Sequence, residues 1–253
     1  MRKLLTISRY EYQIQMKCLA TWGVLAAALV IALWDNYPST NNLQRLEFLT
    51  QPSNFVFRIM SLNTLILFFG LMFLLPSRMS VDRKTGVKIL VMASPVTKGQ
   101  YISGKLFGGF LYTFTMLTLF LTLCTGIYYV AAPMDITLAE CIVPLIKTLA
   151  VCGLPVSLFI SALSICLPAV MDIRLFYLFS AALFIINAAT VSSADEMPFY
   201  LISSGDLVKL IWQHPKFPFT NSGSIQANLV FLVGCAFLSY LWLLLKRKFW
   251  RAD

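Results

Sequence analysis

Few residues in this chain are arranged to make or break bonds. Its one histidine, His214, stands in a Pro-flanked stretch. There is no His-Glu-x-x-His pattern and no pair of carboxylates inside an apolar run, the arrangements that support metal-assisted hydrolysis or general acid–base work. Asp195 and Glu196 are adjacent, so on a helix they would point apart, and they read as a solvated loop pair. The segment Gly99-Gln-Tyr-Ile-Ser-Gly104-Lys105-Leu106 fits a phosphate-binding loop except at its last position. Leu stands there where a hydroxyl must meet magnesium, and the segment leads into an apolar run instead of following a buried strand. No nucleotide site is therefore expected in this chain. The six cysteines (Cys18, Cys124, Cys141, Cys152, Cys166, Cys235) lie in or beside apolar runs without a Cys-x-x-Cys pair. They read as small buried hydrophobes, with no disulfide and no metal site expected.

Other polar residues lie within apolar runs, where they can line a path or join helices. Thr115, Thr118, Thr122 and Thr125 fall in one narrow arc of a helix. Ser157, Ser161 and Ser164 form a second set, and Asn187 stands alone in a later run. Each hydroxyl can bond a preceding carbonyl of its own helix or bridge to a neighbour, and either use competes with lining a path. Thr115, Thr118, Thr122, Ser157, Ser161 and Asn187 are the candidate path residues, with part of the threonine stripe expected to face a central interface between two subunits. Lys147 is the one basic residue within a predicted span, near its outer end, where its stem can snorkel to the headgroups.

These side chains need apolar helices to hold them, and the composition supplies such helices. Apolar residues make up 58% of the 253 residues and charged residues 12%, against about a quarter charged in soluble domains. This predicts an all-α polytopic membrane protein in one domain, 1–253, with six transmembrane helices of ~20 residues each and no room for a soluble catalytic domain. The predicted spans are Cys18–Trp34, Phe55–Leu75, Leu106–Ala131, Cys141–Leu167 with a kink at Pro155, Leu175–Val191 and Ala227–Leu245. An amphipathic helix over 1–17 precedes them, with Leu4, Ile7, Tyr10 and Ile14 on one side and Lys3 and Glu11 intruding, and is expected to lie along the membrane surface. Polar residues before the first run, with no cleavage site after it, argue against a removable signal. An outside segment over 192–226 is expected to carry a short interfacial helix capped by Asp206.

The net charge of +9 is distributed by topology and does not form a nucleic-acid face. With both termini inside, fifteen basic residues fall on inside segments, while Arg45, Arg58, Lys147, Lys209 and Lys216 fall outside or at outer ends. The positive-inside bias thus places both termini in the cytoplasm.

The inside segment 80–105, between the second and third spans, is the longest basic stretch flanked by apolar runs. It reads as two helices. The first, Asp82 to Ser94, is capped by Asp82 and ended by Pro95, which pushes Ser94 out of helical geometry. The second starts at Thr97 with Gln100 three residues on, the spacing of a capping box, and continues through Tyr101 and Lys105 into the third span. Lys84 and Lys88 make a narrow polar stripe on the first helix, and Val87, Ile89, Leu90, Val91, Met92 and Ala93 cover most of its remaining circumference. Such a helix needs apolar contact on more than one side: its own membrane domain below and a partner protein beyond, or a headgroup layer. In the third span, Gly104 and Gly108 form a small-xxx-small pair that permits close approach of another helix.

Asp82-Arg83, Gly86, Leu90, Pro95-Val96, Lys98, Tyr101-Ile102 and Gly104-Lys105 resemble the loop after the second span in membrane subunits of type 2 ABC exporters, with Asp82 where that family commonly has Glu. The resemblance covers nearly the whole chain through the placing of this loop among six spans. It implies a permease, not itself an enzyme, whose coupling helix docks into a groove of a separate ATPase subunit that would hold ATP and magnesium. The coupling residues it implies are Asp82, Arg83, Gly86, Val87, Leu90, Val91 and Pro95, with Met171, Asp172 and Arg174 in a second, smaller element. It further implies a second permease subunit, alternating access, and location in a bacterial cytoplasmic membrane. Apolar spans with scattered hydroxyls suit an amphipathic or hydrophobic cargo such as a peptide, a lipid-like molecule or a drug. Two other readings are a non-transporting immunity or assembly protein and a membrane-embedded enzyme acting on lipid or peptide, the latter without a catalytic set in the sequence.

Overall fold

The computed structural model describes residues 2–37, 39–45, 51–76, 82, 86–131, 136–193 and 223–246. Among them the chain is helical throughout, without strands. The helices are α1 (Arg2–Met16), α2 (Leu19–Asn36), α3 (Thr40–Arg45), α4 (Pro52–Arg58), α5 (Thr64–Leu74), α6 (Val87–Ala93), α7 (Lys98–Ala131), α8 (Leu138–Thr148), α9 (Leu154–Cys166), α10 (Ile173–Ser193) and α11 (Gly223–Leu245).

Four segments are long and apolar enough to cross a membrane: Leu19–Asn36, Lys98–Ala131, Leu138–Cys166 and Gln226–Leu245. They give the chain the character of a membrane protein. Thr64–Leu74 and Ile173–Ala189 are shorter apolar helices. The predicted interfacial helix at Asp206, together with Asp195, Glu196 and His214, lies outside the described residues, as does most of the C-terminal basic cluster.

Two helical stretches, Pro52–Leu74 and Leu138–Cys166, contain π turns. Ile59–Asn63 joins α4 to α5, and Leu149–Gly153 joins α8 to α9. The second leads into Pro155 at the start of α9. Proline lacks an N–H and crowds the carbonyl four residues back, so a widened turn before it relieves the helix. The interruption expected at Pro155 takes this form. The helix also begins earlier than predicted, because Thr137 and Glu140 form a capping box that starts α8 at Leu138.

The main core lies among α2, α4, α5, α7, α8 and α9. Ala28, Phe55, Met60, Leu67, Phe68, Leu71, Tyr112, Met116, Phe120 and Cys124 are buried in it, and the Phe55 and Tyr128 rings stack at 4.0 Å. A smaller core of Tyr101, Ile102, Ile165, Cys166 and Leu243 joins α7, α9 and α11. At one end of the bundle Arg58 Nε donates to Asn36 Oδ1 at 2.6 Å and lies 3.7 Å from Asp35. Most of the remaining described cations gather at the opposite end.

At 1.5 Å per residue, the 34 residues of α7 reach about 51 Å, well beyond a hydrocarbon core of about 30 Å. The first three turns of α7 are accompanied by α1, which runs beside them in the same direction. Contacts proceed from Lys3 with Pro95, just before α7, through Ile7 with Gly104 to Glu11 with Gly108, and α2 then takes over with Thr21 at Tyr112. A Cβ on Gly104 would come within 2.8 Å of Ile7, and one on Gly108 within 2.7 Å of the Ser8 carbonyl. The two glycines thus permit the predicted close approach, and the helix that uses it is α1.

The side of α1 that packs on α7 includes Leu4 and Ile7, both half-buried, from the predicted apolar side. It also carries Ser8, Glu11 and Gln15, all buried, while Leu5 and Tyr10 are exposed. The burial of Glu11 has an electrostatic reason: a buried lysine on α7 requires a carboxylate, and Glu11 supplies it.

Candidate functional site

The candidate site is the end of the bundle where α1, α6, the start of α7 and the end of α11 meet. It is built on the break between α6 and α7. Ser94 is extended (φ −87°, ψ 158°), as a residue before proline should be. The capping box then restarts the helix: Gln100 N donates to Thr97 Oγ1 at 3.3 Å, and Thr97 N donates to Gln100 Oε1 at 3.2 Å. Lys3 Nζ donates to the Pro95 carbonyl at 2.6 Å, tying α1 to the break itself.

The helix before the break starts later than predicted. It begins at Val87, after Gly86 in the left-handed region (φ 73°), and is not capped by Asp82. The Asp82 carboxylate has another use: its Oδ2 lies 2.6 Å from Lys105 Nζ and accepts the Tyr101 hydroxyl at 2.6 Å. Lys105 Nζ also meets Glu11 Oε2 at 2.9 Å, and Glu11 Oε1 accepts from Gln15 Nε2 at 2.8 Å. The Lys105 and Glu11 side chains are 5% and 4% exposed and that of Asp82 17%, so this is a largely buried charge cluster with strong charge-assisted bonds. Ser8 Oγ donates to the Gly104 carbonyl at 2.9 Å beside it. Lys105 is thus committed to two carboxylates, and the near-match to a phosphate loop is wound into α7 from Lys98 onward.

Two lysines close the other side. Lys98 Nζ donates to the carbonyls of Leu244 and Lys246, at 2.7 and 2.9 Å, supplying protons and positive charge where α11 leaves carbonyls unpaired. Lys246 Nζ donates in turn to the Val170 carbonyl at 2.9 Å. The short turn between α9 and α10 is thereby fixed to the same end. In it Met171 is half-buried against the main core, while Asp172 and Arg174 are exposed. Asp172 Oδ1 caps α10 by accepting from Arg174 N at 2.9 Å.

The surface this scaffold presents is apolar. On α6, Val91 packs on the smaller core and Val87 is half-buried, whereas Ile89 is 57% and Leu90 71% exposed. Pro95 is exposed as well. Arg83 lies outside the described residues. Of the predicted coupling residues, the structure therefore brings Gly86, Val87, Leu90, Val91 and Pro95 into one element, anchors Asp82 at its base, and places Met171, Asp172 and Arg174 on the neighbouring turn.

Three of the candidate path residues spend a polar group on their own helix. Thr118 Oγ1 donates to the Phe114 carbonyl at 2.8 Å, Ser161 Oγ to Leu158 O at 3.0 Å and Asn187 Nδ2 to Leu183 O at 2.9 Å, each within its own helix. Ser157 and Ser161 are buried inside the chain, Thr115 is half-buried and Thr122 is exposed. Lys147 is exposed on α8. A small crevice between α5 and α10, about the size of a water molecule and lined by Leu65, Phe68, Phe69, Met72, Ser180, Leu183 and Phe184, was not singled out by the sequence reading. Neither were Glu11 and Gln15 as an anchor. A lone acid on the apolar side of a helix was the one available signal for Glu11. No family model, curated protein or solved structure matches the chain.

Proposed function

We propose that the chain is the membrane subunit of an ATP-driven ABC exporter, with α6 as the helix that docks on a separate ATPase subunit. The observation that carries this reading is α6 itself: a short helix with Ile89 and Leu90 open to the outside, held from below by Val91 and bounded by two built breaks. Exposed aliphatic side chains beside cations at the end of a bundle fit a protein groove with an apolar floor. The resemblance of 82–105 to the type 2 loop supports the same reading.

In it the chain crosses the membrane six times, with the continuous helical stretch Pro52–Leu74 and α10 as the second and fifth spans. Arg2, Lys3, Arg9, Lys17, Lys98 and Lys246 then lie on the cytoplasmic side of a bacterial inner membrane, by the positive-inside rule. ATP-driven closure of two ATPase subunits moves α6, the rigid α1–α7 pair transmits the motion, and two permease subunits open outward by turns. Apolar spans with scattered hydroxyls suit a hydrophobic or amphipathic cargo.

The test is mild-detergent purification of the tagged chain with its neighbouring reading frames, scoring ATP hydrolysis for wild type and Leu90→Asp. Leu90 lies outside the core, so the variant should stay folded while losing the co-purifying ATPase. Equal recovery of ATPase activity by the two proteins would refute α6 as the docking element. Retained function with the associated ATPase inactivated would instead favour an immunity or assembly role.

A further inference from the structure

We infer that Glu11 and Asp82 compete for Lys105, so that weakening one attachment tightens the other. The two carboxylates come from different elements, α1 and the segment leading into α6, and meet one ammonium at 2.9 and 2.6 Å. Both acidic oxygens therefore lie close together in a largely water-excluded space, where like charges repel strongly. Among the described residues the cluster holds two carboxylates and one cation, so one ammonium cannot neutralise both.

Each carboxylate also has a neutral donor of its own, Gln15 for Glu11 and Tyr101 for Asp82. Either acid can lose the lysine and still keep a hydrogen bond, which lowers the cost of letting go. The two sides differ in access to water, the Asp82 side chain being 17% exposed and that of Glu11 4%. Asp82 is consequently the acid that releases first, freeing the base of α6 while α1 stays seated. The cluster is thus an exchange lock: α6 is held to α7 through a bond that α1 continuously contests. This goes beyond the transport reading and holds whatever molecule meets α6.

Hydrogen–deuterium exchange on the full chain in lipid nanodiscs reads the sign. Asp82→Asn removes the competitor, so exchange over Arg2–Met16 should slow, by about threefold or more. Glu11→Gln should likewise slow exchange over Val87–Ala93. Lys105→Met removes the shared partner and should speed exchange in both segments, on the order of a hundredfold, because two buried carboxylates lose their cation. If Lys105→Met does not fold, the two isosteric variants decide the matter alone. Unchanged or faster exchange of α1 in Asp82→Asn, or of α6 in Glu11→Gln, would overturn the competition and leave an ordinary structural ion-pair cluster.

Discussion

At the scale of single residues, three positions separate three physical demands on this chain. Gly86 has no neighbour that an added Cβ would meet, but its φ is +73°. Gly86→Ala should therefore cost only the left-handed strain, about 1–2 kcal/mol, and it should appear as faster amide exchange confined to Val87–Ala93. Gly108 is constrained by packing, since its Cβ would meet the Ser8 carbonyl and the Glu11 side chain. Gly108→Ala should push α1 off α7 and lower stability by about 1–3 kcal/mol, measurable as a lower unfolding temperature in detergent. Thr118 is in neither position: its hydroxyl bonds the carbonyl one turn back, and the residue is half-buried. Thr118→Val should stay within about 0.5 kcal/mol of wild type and, on the proposed exporter reading, leave transport intact. A large loss of transport without a loss of stability would instead restore the threonine stripe as part of a path.

At the scale of elements, local signals were legible in the sequence and distant ones were not. The capping boxes at Thr97–Gln100 and Thr137–Glu140 need only residues three apart, and the break at Ser94–Pro95 only two neighbours. The first capping box and the break were read directly. Asp82 was misread as a helix cap because its partners, Tyr101 and Lys105, lie beyond the next helix start. Glu11 was read as an intrusion into an apolar side, while its partner Lys105 is 94 positions away. Periodicity puts Glu11 on the side of Leu4 and Ile7, and that side does pack on α7, but nothing local in the sequence announces the lysine that Glu11 meets there. The same limit applied to Gly104 and Gly108: their spacing announced a close contact, and only the fold named α1 as the partner. The interruption at Pro155 was legible, whereas the π turn at Ile59–Asn63 has no proline to mark it.

At the scale of the whole molecule, the bundle has two unlike ends. One is closed by the Asp35, Asn36 and Arg58 cluster. The other gathers the N-terminal helix, the turn after α9, the last residues of α11 and the break between α6 and α7 through a set of lysine bonds. The even distribution of apolar residues around α6 made an outward partner a reasonable expectation from sequence, and the fold leaves Ile89 and Leu90 on that outward side. The charged end is built as a platform, and α6 is its most exposed apolar feature. The most direct test of this account is a photo-crosslinking residue placed at Leu90 and, as a control, at Leu178, which is exposed on the wall of the bundle. The account predicts that Leu90 forms an adduct with an ATP-hydrolysing chain and Leu178 does not. Adducts from Leu90 with lipid alone, in the presence of that ATPase, would contradict it and make α6 a membrane-surface helix.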